Sequence, residues 1–474
     1  MTAASRNLDD HVPRYYDSLD FKALWQQYPP APEYFRNTYL ASAEALRAAK
    51  DERFRWQVER CWQIPFYQRH WGAAGLAPGD IRGLADLDKI PVFDVHDLRA
   101  SIERCPPFGD FIGIDFENGE AIPMVLQTSG GTTGLPRPMI FAPRDREVMN
   151  IITGRRLYMQ GVRPFDRLQV VLSLGLANGG FLAREGIWKY TGAIPVMTGS
   201  GAQTPTRRQL EIMAAWKTNF LVGFPAYLRH MAVVAREELG IDPKTYGMKG
   251  LIVHLGTDNR KALEDLWGAP CYDTYGTNEF GSIAAECAEQ SGLHLFEDAF
   301  ELEIRDQETL APTPVGERGV VVLTSLFKHA APMIRFNTND VSAWTPGTCA
   351  CGSTHARIGG IFGRADNMVK LRGTNVFPEA VGALVSENRA TNGEYCCVVE
   401  RVDDEGRDEM TVHVEASDAS VDAAALAKTL SERIKEALGV KMTVRVAPRG
   451  ELSAMTGLNA TSKVKRLIDK RPQN

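Results

Sequence analysis

The sequence predicts a mixed α/β protein, a sandwich of sheets and helices followed by a small α+β unit. Three observations carry that expectation. From about 121 to 340, short β-rich runs alternate with stretches of helical periodicity. Beyond 365 the alternation restarts as a compact unit, and the first 60 residues carry aromatic and charged positions at helical spacing.

Taken in order, Tyr15, Tyr16, Phe21, Trp25 and Tyr39 mark a helical segment over residues 1–60, packed on a larger body. Strands are expected at Leu168 to Leu172, Phe220 to Val222, Leu251 to Leu255 and Gly319 to Leu323, where apolar residues run almost without interruption. Helices are expected at Arg207 to Trp216 and Tyr227 to Glu238. The last unit reads as strands Tyr395 to Val402 and Met410 to Ala416, a helix Val421 to Leu438, and a strand Thr443 to Val446. Two domains follow, residues 1–365 and 366–474, joined by a short hinge.

Composition narrows the function. With 474 residues, 44% of them hydrophobic, the chain can bury a large core. A net charge of -5 leaves no basic surplus to neutralise phosphates, which argues against nucleic-acid binding. The N-terminus is too charged for a signal peptide, and no apolar run approaches the roughly 20 residues that span a membrane. A cytoplasmic enzyme is therefore expected, without a membrane partner. In that setting the eight cysteines read as thiols or metal ligands, with Cys396 and Cys397 as strand core.

Chemistry concentrates in five motifs. Ser129, Gly130, Gly131, Thr132, Thr133 and Gly134 form a loop whose glycines permit close approach to a polyphosphate and whose hydroxyls can donate to it. It is not a Walker A loop, because no Gly-Lys-Ser/Thr follows at the required spacing. Tyr275-Gly276-Thr277-Asn278-Glu279 comes next, then Arg335 to Asp340, then Gly363-Arg364-Ala365-Asp366, and finally Thr461 to Arg466 with Lys463. Alone, each has a plain reading: a Ser/Gly turn, a strand end, a solvated basic tail. Their shared order gives them a common meaning.

That order resembles the adenylate-forming superfamily and, within it, the phenylacetate-CoA ligase branch. The resemblance implies a large N-terminal adenylate-forming domain, a small mobile C-terminal lid, and an ATP-dependent aryl-CoA ligase using ATP with magnesium and CoA. Under it, Thr132 and its neighbours wrap the triphosphate, and Glu279 holds magnesium against it. Tyr275 stacks on adenine, with Gly276 beside it, and Asn278 donates to the α-phosphate where the family has Thr or Ser. Asp340 accepts the ribose hydroxyls and Arg364 adds a charged contact. Asp366 is the hinge, and Gly373 lets a CoA arm pass. Lys463 stabilises the adenylation transition state, with Lys465 as the rival. The pattern departs at Gly130, where the superfamily has Ser or Thr, and at Ser462, where it has Gly.

Two further expectations follow. Cys287, His294, Cys349 and Cys351 offer a tetrahedral structural zinc set, with His355 as an alternative ligand. The branch's aryl pocket segment is matched by Leu174 to Gly180, where Leu174 and Ala177 replace aromatic walls and Asn178 adds a polar one. A larger or hydroxylated aromatic carboxylic acid is expected, with Phe181, Phe224, Tyr227 and His254 as further wall residues. Alternatives stay open: transfer to a carrier-protein thiol or an amine, or a non-catalytic, nucleotide-binding, zinc-stabilised protein. The branch also makes a homodimer one state open to the chain.

Overall fold

The structure is a computed structural model that describes residues 12–117, 119, 121–129, 136–372, 374–402, 408–458 and 464–471. Its largest sheet has eight strands. Five are parallel, Ile194–Met197, Arg167–Val170, Phe220–Gly223, Gly250–Val253 and Cys271–Thr277 in spatial order. Gly281–Ala285, Leu293–Leu295 and Arg357–Ile358 extend it antiparallel. Helices Asn178–Tyr190, Thr206–Trp216, Pro225–Glu238 and Arg260–Trp267 connect the parallel strands.

Both faces of this sheet are buried, which is why its strands read as continuous apolar runs. Successive side chains take opposite faces. Phe220, Val222 and Ile252 pack with Leu157 and Ile187 on one side, whereas Leu221, Leu251 and Val253 pack with Leu210, Leu228 and Trp267 on the other.

The strand expected at Leu251 to Leu255 ends at Val253, because the Leu255 N–H leaves the ladder for the Asp273 carboxylate at 2.8 Å. The helix expected from Tyr227 begins at Pro225, whose fixed φ suits a first turn. The strand expected from Tyr395 begins at Thr391, and its pairing shifts register where Gly393 adopts φ +85°.

The N-terminal helices Phe21–Gln27, Ala43–Cys61 and Pro65–Ala73 lie on the large body. Tyr28, Tyr34, Tyr39, Phe54 and Trp71 enter the same core as Leu295, Leu323 and Phe336. Arg155 fixes the junction, reaching both Asp298 oxygens at 2.9 Å and lying 4.0 Å from the Tyr34 ring centroid. Tyr16 and Trp25 stay exposed.

A four-stranded antiparallel sheet follows, Phe300–Arg305, Gly319–Ser325, Phe336–Ser342 and Gly363–Arg364. The chain then forms the hairpin Val369–Leu371/Thr374–Val376 and a second four-stranded sheet, Thr443–Ala447, Asp408–Ala416, Thr391–Arg401 and Leu467–Asp469. Helices Pro378–Glu387 and Ala423–Leu438 cover that sheet and share a core of Val385, Cys397, Val412, Leu430 and Ile434. Cys396 and Cys397 are both fully buried in their strand. No described helix is long and apolar enough to cross a membrane.

Candidate active site

The residues expected at the nucleoside end are brought together by strand register. Asp340 and Arg364 are direct cross-strand partners, and Arg364 Nη1 donates to Asp340 Oδ1 at 3.2 Å. Its Nε and Nη2 donate to Asp366 at 2.9 and 2.6 Å, so one guanidinium joins the two acids. Tyr275 rises from the neighbouring sheet, buried, and its hydroxyl donates to Asp340 Oδ2 at 2.8 Å. Burial, reinforced by the Asp340 charge, holds that phenol well above its ordinary pKa, so it remains a donor. Gly276 cannot be replaced here, because a Cβ would meet the Gly281 carbonyl oxygen at 2.4 Å where the strand turns back.

The glycine loop expected to hold phosphate departs from a two-stranded hairpin at its root. Strands Val125–Thr128 and Pro138–Phe141 pair antiparallel, and the Ser129 N–H donates to the Arg137 carbonyl at 3.0 Å. Gly130, Gly131, Thr132, Thr133 and Gly134 lie outside the described residues, as do Lys463 and Gly373.

At that root the Arg137 guanidinium ion-pairs with Glu279, and Lys328 Nζ donates to the Glu279 carbonyl at 2.8 Å. Burial works to raise the Glu279 carboxyl, but Arg137, the Glu279 N–H and Thr277 outweigh it and hold it below the ordinary carboxylate value. An ionised carboxylate is a donor of the kind magnesium takes together with phosphate oxygens and water. Lys328, buried between the Phe141 and Phe280 rings, is pushed down to about 8 by burial.

Sequence reasoning missed Arg137 and Lys328 as site residues. Arg137 comes three residues after Gly134, and Lys328 follows the apolar pair Leu326-Phe327, which was the available signal. It also missed Asp273, two residues before Tyr275. Asp273 Oδ1 accepts from the Leu255 and Thr274 N–H groups at 2.8 and 2.7 Å, yet burial, with the Glu286 charge adding, pushes its carboxyl up to about 7.

In the segment expected to line the acid pocket, Ala177 caps the helix Asn178–Tyr190 and bridges Thr128, coupling this segment to the loop root. The expectation that Asn178 is a polar pocket wall is corrected. Asn178 is fully buried, its oxygen accepts from Arg146, and its Nδ2 donates to the Asn278 carbonyl at 3.1 Å. Asn278 in turn accepts the Asn178 N–H on its Oδ1 at 3.2 Å.

Tyr227 is likewise core and not wall, packed with Leu210 and Met231, its hydroxyl 3.0 Å from Thr206 Oγ1. Phe224 and His254 follow the C-terminal ends of adjacent parallel strands with rings stacked at 5.6 Å, and both stay half-buried, as does Phe181. The carboxyl edge of such a sheet is where open α/β folds bind ligands.

The cysteine cluster is assembled from three segments. Donor atoms of Cys287, His294, Cys349 and Cys351 lie within 4.8 Å of one another. Cys287 and Cys349 sulfurs are 3.7 Å apart, and Cys351 Sγ is 3.5 Å from His294 Nε2. A tetrahedron of zinc bonds has edges of about 3.8 Å between sulfurs and about 3.5 Å from sulfur to nitrogen, so the spacing fits. His294 is pushed down to about 4, first by burial and then by Arg357 and His355, which leaves a neutral imidazole. The alternative ligand His355 is excluded. Its Nδ1 lies 2.9 Å from the Leu295 carbonyl and its Nε2 3.1 Å from that of Thr38.

Known proteins resemble the chain over most of its length. A family model described as the AMP-binding enzyme C-terminal domain matches residues 373–471. The phenylacetate-coenzyme A ligase of Aromatoleum evansii is 31% identical over 463 residues, 94% of this chain and 99% of that protein. Among solved structures, 2-hydroxyisobutyryl-CoA ligase in its postadenylation state with 2-HIB-AMP superposes with a TM-score of 0.79 at 27% identity, covering 94% of this chain and 91% of that one. The same ligase with 2-HIB-AMP and CoA in its thioesterification state gives 0.65 at 28% identity, with 91% of each chain covered. With this likeness running almost end to end, the chain belongs to the phenylacetate-coenzyme A ligase family and is an AMP-forming acid–CoA ligase.

Proposed function

We propose that this ligase activates an aromatic carboxylic acid roomier than phenylacetate and passes it to the CoA thiol. The observation that carries the reading is the Thr128–Ala177 bridge, which joins the phosphate loop root to the acid segment. A substrate carboxylate beside Ala177 would then face the α-phosphate of a nucleotide held by Asp340 and Arg364. Leu174 and Ala177 leave space, and the Phe224–His254 stack offers an aromatic wall.

In the first half-reaction the carboxylate oxygen attacks the α-phosphorus, and the bond to the pyrophosphate oxygen breaks. Magnesium, held by Glu279, would offset the repulsion between the two anions. Ser129, Thr132 and the glycines would orient the triphosphate, and Lys463 would stabilise the charge that develops in the transition state. Asn278, whose oxygen serves Asn178, keeps its Nδ2 for the α-phosphate. Tyr275 keeps Asp340 turned to the ribose and lays its ring along adenine. In the second half-reaction the CoA thiol attacks the acyl carbon, loses its proton, and AMP leaves.

The domain boundary falls at 365/366, with Asp366 as the hinge between two poses. The higher similarity to a postadenylation state than to a thioesterification state supports reading the present arrangement as the adenylating pose. Cys287, His294, Cys349 and Cys351 would hold a structural zinc, since four protein ligands leave no open position. Free thiols throughout fit the cytoplasm, where ATP and CoA are supplied.

Substrate choice is tested by rates on a series of aryl and aryl-acetic acids, with Ala177→Phe as the narrowing variant. Larger acids are expected to be preferred by wild type and phenylacetate by the variant. Phenylacetate as the best wild-type substrate among many aryl acids would overturn the roomier pocket.

A further inference from the structure

The helix Pro143–Met159 is buried along most of its length, yet it carries Arg146 and Asn150 inside. Polar side chains so placed need partners. The two are four residues apart, so they share a face, and both reach the neighbouring helix Asn178–Tyr190. Arg146 Nε and Nη2 donate to the two Glu185 oxygens at 2.9 and 2.8 Å, and Asn150 Nδ2 donates to Glu185 Oε2 at 2.8 Å. Burial works to raise the Glu185 carboxyl, but Arg146, Asn150 and Lys189 outweigh it and hold it below its ordinary value. The helices meet closely, since a Cβ at Gly186 would stand 2.5 Å from Thr153 Cγ2. This fork pins a guanidinium that is only 3% exposed.

Its remaining nitrogen, Nη1, donates to Asn178 Oδ1. A guanidinium accepts nothing, so the Asn178 oxygen must face it and Nδ2 must turn away. That Nδ2 donates to the Asn278 carbonyl at 3.1 Å, and the Asn178 backbone N–H donates to Asn278 Oδ1 at 3.2 Å. A backbone N–H is likewise only a donor, so the Asn278 amide is held with its oxygen towards Asn178 and its Nδ2 on the other side. Asn278 is half-buried, in the turn between Cys271–Thr277 and Gly281–Ala285, next to Glu279. Its orientation decides how it meets an anion. Turned round, the amide would set Oδ1 against a phosphate oxygen, whereas a hydroxyl at the same place would rotate to donate.

We infer that Arg146 and Asn178 are positioning residues for adenylation: Arg146 orients the Asn178 amide, and Asn178 grips Asn278 at its carbonyl and its amide oxygen, so that Nδ2 is presented to the α-phosphate. The inference rests on the reading of Asn278 as an α-phosphate donor. It goes beyond that reading by giving two buried side chains a catalytic consequence through Asn278. A donor aimed in advance at the oxygens where charge develops needs no reorganisation during the reaction. Each link in the relay has one possible polarity, so the guanidinium at one end sets the amide at the other.

The test uses the full-length enzyme with Asn178→Asp, which keeps the oxygen for Arg146 but loses the donor to Asn278. A second variant combines Arg146→Met with Glu185→Met, so that neither charge of the fork is left buried alone. Both are also made in an Asn278→Thr background, where a rotating hydroxyl needs no orienting, and Asn278→Ala is the reference. Two quantities are read: the phosphorus NMR resonance of the α-phosphate of bound ATP, and ATP–pyrophosphate exchange. The probe acid is phenylacetate or its 4-hydroxy derivative, whichever wild type exchanges faster. Asn178→Asp and the Arg146/Glu185 variant are expected to move the α-phosphate resonance and to lower exchange about tenfold or more. In the Asn278→Thr background the same changes should cost less than about threefold and leave the resonance in place. If Asn278→Ala alters both quantities while Asn178→Asp and the Arg146/Glu185 variant alter neither, the positioning role is overturned and the reading of Asn278 stands. Equal losses in the two backgrounds would make the relay merely structural and overturn the role too. An Asn278→Ala enzyme with both quantities unchanged would remove the underlying reading itself.

Discussion

The Glu279 carboxylate is held against the Arg137 guanidinium, a residue 142 positions earlier, with both side chains largely buried. A buried ion pair is worth little against an apolar pair, but removing one partner leaves an uncompensated charge. Arg137→Met should therefore destabilise the protein by about 3–5 kcal/mol at pH 7, read by denaturant unfolding. Because Arg137 helps hold the Glu279 pKa below its ordinary value, the pair's contribution is full above the ordinary carboxylate range and lost as pH falls through the lowered one. The gap between wild type and variant should thus narrow on acidification. A gap that stays constant down to pH 4 would contradict this role.

Tyr275 donates its hydroxyl to Asp340, the carboxylate that would accept the ribose hydroxyls. A hydrogen bond to a charged group contributes about 1.5–3 kcal/mol, so Tyr275→Phe should raise the KM for ATP about tenfold or more. Steady-state kinetics with ATP varied checks it. An unchanged KM would mean that the Tyr275 hydroxyl does not orient Asp340.

Asp273 carries a pKa raised to about 7 by burial, next to the site. Its native state holds a proton that the unfolded chain has released, so stability falls as pH rises from the ordinary carboxylate value towards 7 and is level above it. Asp273→Asn should remove that slope while still accepting the Leu255 N–H. Thermal unfolding from pH 5 to 8.5 should show the variant's advantage growing up to pH 7 and then holding steady. An advantage that shrinks with pH would reverse the assignment.

The cysteine cluster makes a metal prediction. One zinc per chain is expected by elemental analysis, lost in Cys351→Ser and retained in His355→Ala. Loss of zinc should lower the unfolding midpoint by more than about 4 °C. Retention in Cys351→Ser, or loss in His355→Ala, would contradict the ligand set.

Much of this was legible because it is local. The apolar runs mark the buried parallel strands, and the Cys349-x-Cys351 spacing brings two thiols to one turn. Choices settled by distant chain were not legible. His294 and His355 are equivalent in sequence, and only the carbonyls of Thr38 and Leu295 take His355 away from the sulfurs. Asn178 reads as a pocket residue until Arg146 and Asn278 bury its amide. Leu467–Asp469 is too short and too flanked by charge to show periodicity, and it becomes a strand only by pairing with Thr391–Arg401.

Carboxylate-dependent ATP–pyrophosphate exchange without CoA, run on wild type and Lys463→Ala against aryl, aryl-acetic and fatty acids, tests the central claim most directly. Exchange with aromatic acids, abolished in the variant, is the predicted result. Exchange confined to fatty acids, or undiminished in Lys463→Ala, would contradict it.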